Sequence, residues 1–183
     1  MPDSGGRAPA PAAAAPACAG RVDVEALAAR FVAVFPHLDA RSAAVALALY
    51  RLLAQGQPVP WPALARATGW EEAALRALVG GWPGVFEEAA ALTGFGGLSI
   101  RPVSRHRLTL AGRTLHTRCA WDTLFLPALL GGTAEVESAC ALTGAPVRLT
   151  VSAERAESRE IPAPWLSMLA PDAGMVADLT QHF

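Results

Sequence analysis

The chain has 183 residues, of which 52% are hydrophobic and 17% are charged, and its formal net charge is −1 at pH 7. That length suits one ordinary domain or two small ones, and the near-neutral charge does not favour a polyanionic partner. Three cysteines, an odd number, exclude a complete disulfide framework and fit a reducing, cytoplasmic setting.

The first 20 residues are rich in Ala, Pro and Gly. They lack a basic stretch followed by a Leu-rich one, so we expect no signal peptide. The whole chain lacks a run of about 18 apolar residues, so we expect no membrane span. Because proline opposes regular helix and alanine offers little to bury, residues 1–20 are predicted to be a disordered tail. Cys18 is then an incidental exposed thiol.

Four helices are predicted after the tail. Apolar residues recur at helical spacing over 23–35. Asp39 can cap a second helix, which Gly56 stops. A short third helix follows Pro60, and a fourth begins near Trp70 after a Thr-Gly turn.

The order helix, short helix, glycine turn, helix is typical of a helix-turn-helix unit, and extended pieces near 98–103 and 107–110 could supply a wing. A recognition helix presents Arg, Lys, Asn or Gln to DNA, but the fourth helix offers only Arg76, beside Glu71 and Glu72. DNA affinity depends largely on phosphate neutralisation. A structural or interaction module is therefore favoured over DNA binding, and we expect no DNA partner.

The second half of the chain mixes strands with one helix. Strands are predicted at 108–110, 114–117, 134–139 and 147–152. A helix is predicted from Ala120 to the glycines at 131 and 132, with a kink or an early break at Pro127. The predicted fold class is α+β. A tri-helical, winged-helix-like domain spans 21–95, and a small mixed β-sheet domain with a catalytic helix spans 96–183.

Cys119 and Asp122 are the candidate site residues. Cys119 lies between a predicted strand and a helix N-terminus, where free N–H groups and the helix dipole favour a thiolate, so we expect it to be the most acidic of the three cysteines. Asp122 follows one helical turn later and faces the same side. A thiolate beside a proton carrier is a plausible catalytic pair. A buried cysteine followed by a carboxylate that caps the helix fits the same spacing.

The segment from Leu115 to Gly131, LHTRCAWDTLFLPALLG, resembles the signature of the alkylmercury lyases. In that signature Cys-Ala-x-Asp-Thr-Leu is followed by an apolar residue, a variable one and Pro-Ala. The segment from Ser138 to Val147, SACALTGAPV, resembles the next block of the family, and Gln57-Pro-Val matches its helical front half. The resemblance extends over 23–183.

The resemblance implies an enzyme that converts R–Hg⁺ into R–H and Hg²⁺ in mercury detoxification. The family is cytoplasmic and uses no organic cofactor, since mercury is substrate and product. Its first catalytic cysteine, a mercury ligand, falls on Cys119, and its proton-handling aspartate on Asp122, whereas Cys140 looks structural. The implied partners are organomercury compounds, small thiols and a mercuric reductase that receives Hg(II), with no DNA and no membrane. Thiolates suit mercury because it is a very soft cation.

A second catalytic cysteine of the family follows a Gln-x-Phe stretch, and this sequence ends in Gln181-His-Phe183. The resemblance therefore predicts a chain that is catalytically incomplete at its C-terminal end, as a fragment or as a truncated product. Two alternative functions stay open. One is a mercury- or thiol-responsive winged-helix regulator in which Cys119 senses, and the other is a mercury-binding fragment that does not turn over.

Other polar and aromatic residues near the signature carry weaker expectations. The four scattered histidines, His37, His106, His116 and His182, are not expected to bind metal. Trp121 is predicted to form a pocket wall. Arg118 could support the Cys119 thiolate electrostatically, or it could be an ordinary solvated arginine.

Overall fold

The computed structural model describes residues 23–34, 37–159, 164 and 166. The predicted N-terminal tail with Cys18, and the C-terminal stretch with His182, lie outside the described residues. Within the described ranges, no helix is long and apolar enough to cross a membrane.

Five helices are described, and the first four confirm the predicted series. Asp39 caps the second helix, because its Oδ1 accepts a hydrogen bond from the Ser42 N–H at 2.8 Å. Gly69 ends the third in a left-handed conformation with φ 72°. The helices are α1 Val24–Val34, α2 Ala40–Leu53, α3 Trp61–Thr68, α4 Glu72–Val79 and α5 Asp122–Leu129.

One antiparallel sheet forms the centre of the molecule. Its strands are β1 Val59–Pro60, β2 Phe86–Glu88, β3 Ala91–Phe95, β4 Leu98–Ser99, β5 His106–Leu110, β6 Arg113–Thr117, β7 Ala134–Ala139, β8 Pro146–Val151 and β9 Ala156–Ser158. The spatial order is β1-β3-β4-β6-β5-β7-β8-β9, and β2 also pairs with β3.

The α+β class is confirmed, but the prediction of a mixed sheet is wrong. Every pairing between the described strands is antiparallel. The reason is connection length, since two-residue turns join β3 to β4 and β5 to β6, and such turns can link only antiparallel neighbours. The two pieces proposed as a wing belong to this sheet, where β4 pairs with β3 and β6.

A single core joins the helices to the sheet. Leu49 of α2, Leu64 of α3 and Leu75 of α4 are fully buried and belong to the same cluster as Leu92, Leu108 and Leu115 from the strands. Helix α1 lies at the periphery, where Val32 is 61% exposed. The sheet continues through the turn at 96–97, where the sequence placed a domain boundary.

Helix α5 differs from its prediction at both ends. It begins at Asp122 rather than Ala120, and it continues past Pro127 to Leu129 without the predicted early break. Leu126 on this helix is fully buried in the core. The connection between β6 and α5 is therefore a tight turn over 118–121, anchored on both sides by buried structure.

Candidate active site

Cys119 lies in the turn that joins β6 to α5. Thr117, the last residue of β6, is fully buried, and its Oγ1 donates a hydrogen bond to the Cys119 carbonyl at 3.0 Å. On the helical side, the Leu124 N–H donates to the Trp121 carbonyl at 3.0 Å. The Thr117 hydroxyl thus holds the Cys119 carbonyl, and the first bonds of α5 fix the other side of the turn.

Asp122 reaches back to Cys119 from the first position of α5. Its Oδ2 accepts a hydrogen bond from the Cys119 N–H at 2.9 Å, and its side chain also bonds the Cys119 thiol. The residue is only 8% exposed. This contact is the one that both interpretations of the spacing require, and the catalytic role of the pair stays a prediction.

The prediction that Cys119 is the most acidic thiol is wrong. Burial, and then the Asp122 carboxylate, raise the pKa of Cys119 from its ordinary value of 9.0 to about 12. Hydrogen bonds from the Thr143 side chain and from the Thr143 and Leu142 N–H groups instead lower the pKa of Cys140. The helix terminus does act on Cys119, because the Asp122 and Trp121 N–H groups lower its pKa, but burial and the Asp122 charge outweigh them.

The same burial raises the pKa of Asp122. Hydrogen bonds from Cys119 and the nearby Arg118 guanidinium oppose that rise. Burial therefore favours the uncharged form of both the Cys119 thiol and the Asp122 carboxyl.

A glycine turn, which we did not single out in the sequence, closes this pair from one side. Gly96 and Gly97 link β3 to β4 with φ values of 50° and 91°. The Arg118 N–H donates to the Gly97 carbonyl at 2.9 Å. A Cβ atom on Gly97 would lie 2.4 Å from Asp122 Cγ, so the carboxyl rests directly on the glycine backbone. The Gly-Gly pair is a recognisable hairpin signal, but nothing in it indicates Asp122.

Tyr50 of α2 was also missed. Its hydroxyl donates to the Gly96 carbonyl at 2.8 Å, and its ring lies 4.8 Å from that of Phe95. Burial, and then the charge of Asp122, raise the pKa of Tyr50 above its usual range. The tyrosine is therefore close to the carboxyl as well as to the turn.

Aromatic side chains and one arginine surround the rest of the pair. Trp121 stacks on Phe31 of α1, with ring centroids 5.4 Å apart, and lies 6.5 Å from Phe125. Arg118 is partly buried, with its Cζ 3.9 Å from the Phe86 ring centroid. The positive charge of Arg118 acts on Asp122, whose pKa it lowers, and the expected support of a Cys119 thiolate stays a prediction.

The remaining candidate residues lie apart from the pair. Cys140 follows β7, which is separated from β6 by β5, so it is two strands away at the same end of the sheet. His106 Nδ1 lies 2.9 Å from Ser138 Oγ. In the part of the chain that the structure describes, no group of three or more His, Cys, Asp or Glu side chains could hold a metal ion.

Comparison with known proteins gives a consistent picture. The family model described as alkylmercury lyase matches residues 98–181. Alkylmercury lyases of Pseudomonas putida and Streptomyces lividans are each 40% identical over 126 residues, which is 68% of this chain and 58% of theirs. That of Staphylococcus epidermidis is 37% identical over 125 residues, again 68% of this chain.

A similar solved structure is the mercury-bound form of MerB2. It is 27% identical with a TM-score of 0.58, and the match covers 72% of this chain and 66% of that one. The chain spans about 58% of the length of the curated relatives it matches.

Proposed function

Because the chain belongs to the alkylmercury lyase family, we propose that it cleaves carbon–mercury bonds by protonolysis, releasing a hydrocarbon and Hg(II). The observation that carries this proposal is the hydrogen-bonded contact between Cys119 and the buried Asp122 carboxyl. One residue supplies a soft ligand for mercury, and the other supplies and receives a proton.

In the first step, the Cys119 sulfur displaces a thiolate from an R–Hg–thiolate substrate and forms a sulfur–mercury bond. The Cys119 proton moves to Asp122 as this bond forms, because the two groups already share a hydrogen bond. The displaced thiolate leaves with its electron pair. Mercury is now held by Cys119, and Asp122 is a neutral acid in a dry site that favours the neutral form.

In the second step, Asp122 gives its proton to the carbon bound to mercury. The electron pair of the carbon–mercury bond becomes the new C–H bond, so R–H leaves and the carboxylate is regenerated. Thiolate donation to mercury increases the electron density on that carbon. Trp121 and Phe125 provide an apolar surface beside the reacting groups for the alkyl or aryl group.

A second thiolate is part of the proposal, since Hg(II) prefers two sulfur ligands. Among the described residues the other free cysteine is Cys140. It follows β7, which is two strands from β6 in the sheet. We propose that a small thiol or a cysteine outside the described residues completes the mercury coordination. Transfer of Hg(II) to a mercuric reductase, in the cytoplasm, belongs to the same proposal.

The test is hydrocarbon release from a methyl- or phenylmercury thiol complex, measured in the headspace over the full chain with excess small thiol. Release beyond one equivalent supports the lyase. Stoichiometric mercury capture without hydrocarbon would contradict it and identify a mercury-binding protein instead. Asp122→Asn is the matched control, since an amide preserves the shape of the side chain but cannot transfer the proton.

A winged-helix regulator is disfavoured by the surroundings of Arg76, the single basic residue of α4. Arg76 Nε is 2.9 Å from Glu72, and Nη1 is 3.7 Å from Glu87. Its Cζ lies 4.6 Å from the Trp61 ring centroid. Two carboxylates already neutralise this guanidinium, so α4 offers little to a phosphate backbone.

A further inference from the structure

We propose that the Gly96–Gly97 turn and Tyr50 are positioning elements of the active site that hold the Asp122 carboxyl against Cys119. The proposal concerns residues far from the sequence signature, and its chemical consequence rests on the proposed function. The positioning itself is argued from contacts within the described part of the chain.

The first contact is between Gly97 and Asp122. A Cβ atom at Gly97 would lie 2.4 Å from Asp122 Cγ and 2.7 Å from Oδ2, closer than real Cβ atoms approach other atoms. Only a glycine therefore leaves the carboxyl in its observed place. The turn is also tied to the loop of the cysteine, because the Arg118 N–H donates to the Gly97 carbonyl at 2.9 Å.

The second contact is the attachment of the turn to α2. The Tyr50 hydroxyl donates to the Gly96 carbonyl at 2.8 Å, and the two residues are 46 positions apart in sequence. A Cβ atom on Gly96 would collide with the same hydroxyl. Helix α2, which carries buried Leu49 and Leu53 on either side of Tyr50, thus fixes the turn that faces the carboxyl.

Displacing the turn would affect the two proposed steps differently. Mercury capture requires the Cys119 sulfur, whereas proton delivery requires the Asp122 carboxyl at one position and orientation relative to the mercury-bound carbon. Orientation of reacting groups makes a large contribution to rate, and general acids typically contribute about 10²- to 10⁴-fold. A misplaced carboxyl should therefore reduce hydrocarbon release while capture persists.

The chain contains a matched control for Gly97. Gly112 occupies the same second position of a two-residue hairpin turn, with φ 76° against 91° for Gly97. The preceding residues, Gly96 and Ala111, have φ 50° and 49°. No atom lies within 4 Å of a Cβ on Gly112. Alanine at Gly112 therefore introduces comparable backbone strain without touching Asp122.

The experiment follows the Cys119 amide by ¹⁵N–¹H NMR of full-length chain labelled at cysteine. This amide donates to Asp122 Oδ2, so its proton resonance reports the carboxyl position whether or not the protein turns over. The Cys140 amide, which donates to the Ala145 carbonyl at 2.8 Å, is an internal check on folding. Asp122→Ala defines the position of the Cys119 resonance when the carboxyl is absent.

We expect Gly97→Ala to move the Cys119 resonance toward its position in Asp122→Ala, with Cys140 unmoved, and Gly112→Ala to move neither. Tyr50→Phe, which removes a single oxygen, should shift Cys119 in the same direction. In single turnover, Gly97→Ala should capture one equivalent of mercury and release hydrocarbon at least about 10-fold more slowly.

A stationary Cys119 resonance in Gly97→Ala, or an equal shift in Gly112→Ala, would overturn the role of the turn. A stationary resonance in Tyr50→Phe would overturn that of the tyrosine. Absence of hydrocarbon from the unaltered chain would refute only the lyase, since the resonances still decide the positioning.

Discussion

The protonation state of Cys119 is the most direct test of the site. The structure keeps this residue as a thiol beside Asp122, with its pKa raised from 9.0 to about 12. The perturbation is Asp122→Asn, which removes the charge but leaves an oxygen to accept the Cys119 N–H. Because burial is the larger cause of the high pKa and persists in the variant, we expect the pKa of Cys119 to fall only part of the way toward 9.0.

The expected reaction rate of Cys119 follows from two opposing effects. A pKa of about 12 rather than 9.0 reduces the thiolate fraction at pH 8 by about 10³-fold. A more basic thiolate is a better nucleophile by about 0.4–0.5 log units for each unit of pKa, which offsets roughly 10^1.2- to 10^1.5-fold. Cys119 should therefore react roughly 30- to 60-fold more slowly at pH 8 than an ordinary thiol with the same access.

The assay is the reaction of the folded chain with a small neutral aromatic disulfide at a series of pH values, with each cysteine quantified by mass spectrometry. Cys119 should gain reactivity up to high pH, and its profile should move to lower pH in Asp122→Asn. The Cys140 profile should be the same in both proteins, because that thiol is bonded to Thr143 and not to Asp122. A Cys119 profile centred near 9.0, or one that ignores Asp122→Asn, would refute the buried pair.

Four further outcomes are expected. Asp122→Asn should capture mercury but lose about 10²- to 10⁴-fold in hydrocarbon release, as measured in the headspace, and near-normal release would reduce Asp122 to a helix cap. The raised pKa of Asp122 means that the unaltered chain binds this proton more tightly when folded, so its free energy of unfolding should fall as pH rises above 3.8. Urea titrations at a series of pH values should show that this free energy depends less steeply on pH in Asp122→Asn. Leu115→Ala should reduce the free energy of unfolding by about 2–5 kcal/mol, because Leu115 is fully buried. As the control for that variant, Leu142→Ala, at an 87% exposed position, should change it by less than about 0.5 kcal/mol in the same titrations. Random duplex DNA at about 50 mM salt should not bind more tightly than about 10⁻⁴ M, and strongly salt-dependent binding would favour a regulator.

Local signals in the sequence predicted much of the fold. Asp39 and Gly69 mark helix ends through contacts within a few residues, which a sequence displays directly. The strand at 134–139 was predicted with the bounds that the structure shows. Of the kink or early break that Pro127 suggested for α5, the early break is absent, since a proline near the end of a short helix interferes with few hydrogen bonds.

The site was only half predictable for a related reason. Cys119 and Asp122 are three positions apart across the turn that leads into α5, so local chain geometry alone brings them together. Tyr50 and Gly96 meet across 46 residues through the packing of α2 on the sheet, and no local pattern indicates that contact. The prediction of the Cys119 charge state failed for a different reason. The spacing indicates a helix terminus, which lowers the pKa of Cys119, but it does not indicate the burial that raises this pKa more strongly.

The failed prediction of an acidic Cys119 makes the proposed chemistry more coherent. A thiol with a low pKa would lose its proton to solvent before substrate arrives, and the buried carboxyl would then have to obtain a proton from outside. A thiol bonded to Asp122 instead brings one proton into each turnover. In the proposed mechanism, sulfur–mercury bond formation would pass that proton to the carboxyl, and carbon–mercury cleavage would consume it. The burial that raises both pKa values therefore keeps the proton first on the Cys119 sulfur and then on the Asp122 carboxyl. This transfer requires that the Gly96–Gly97 turn keep the two groups together.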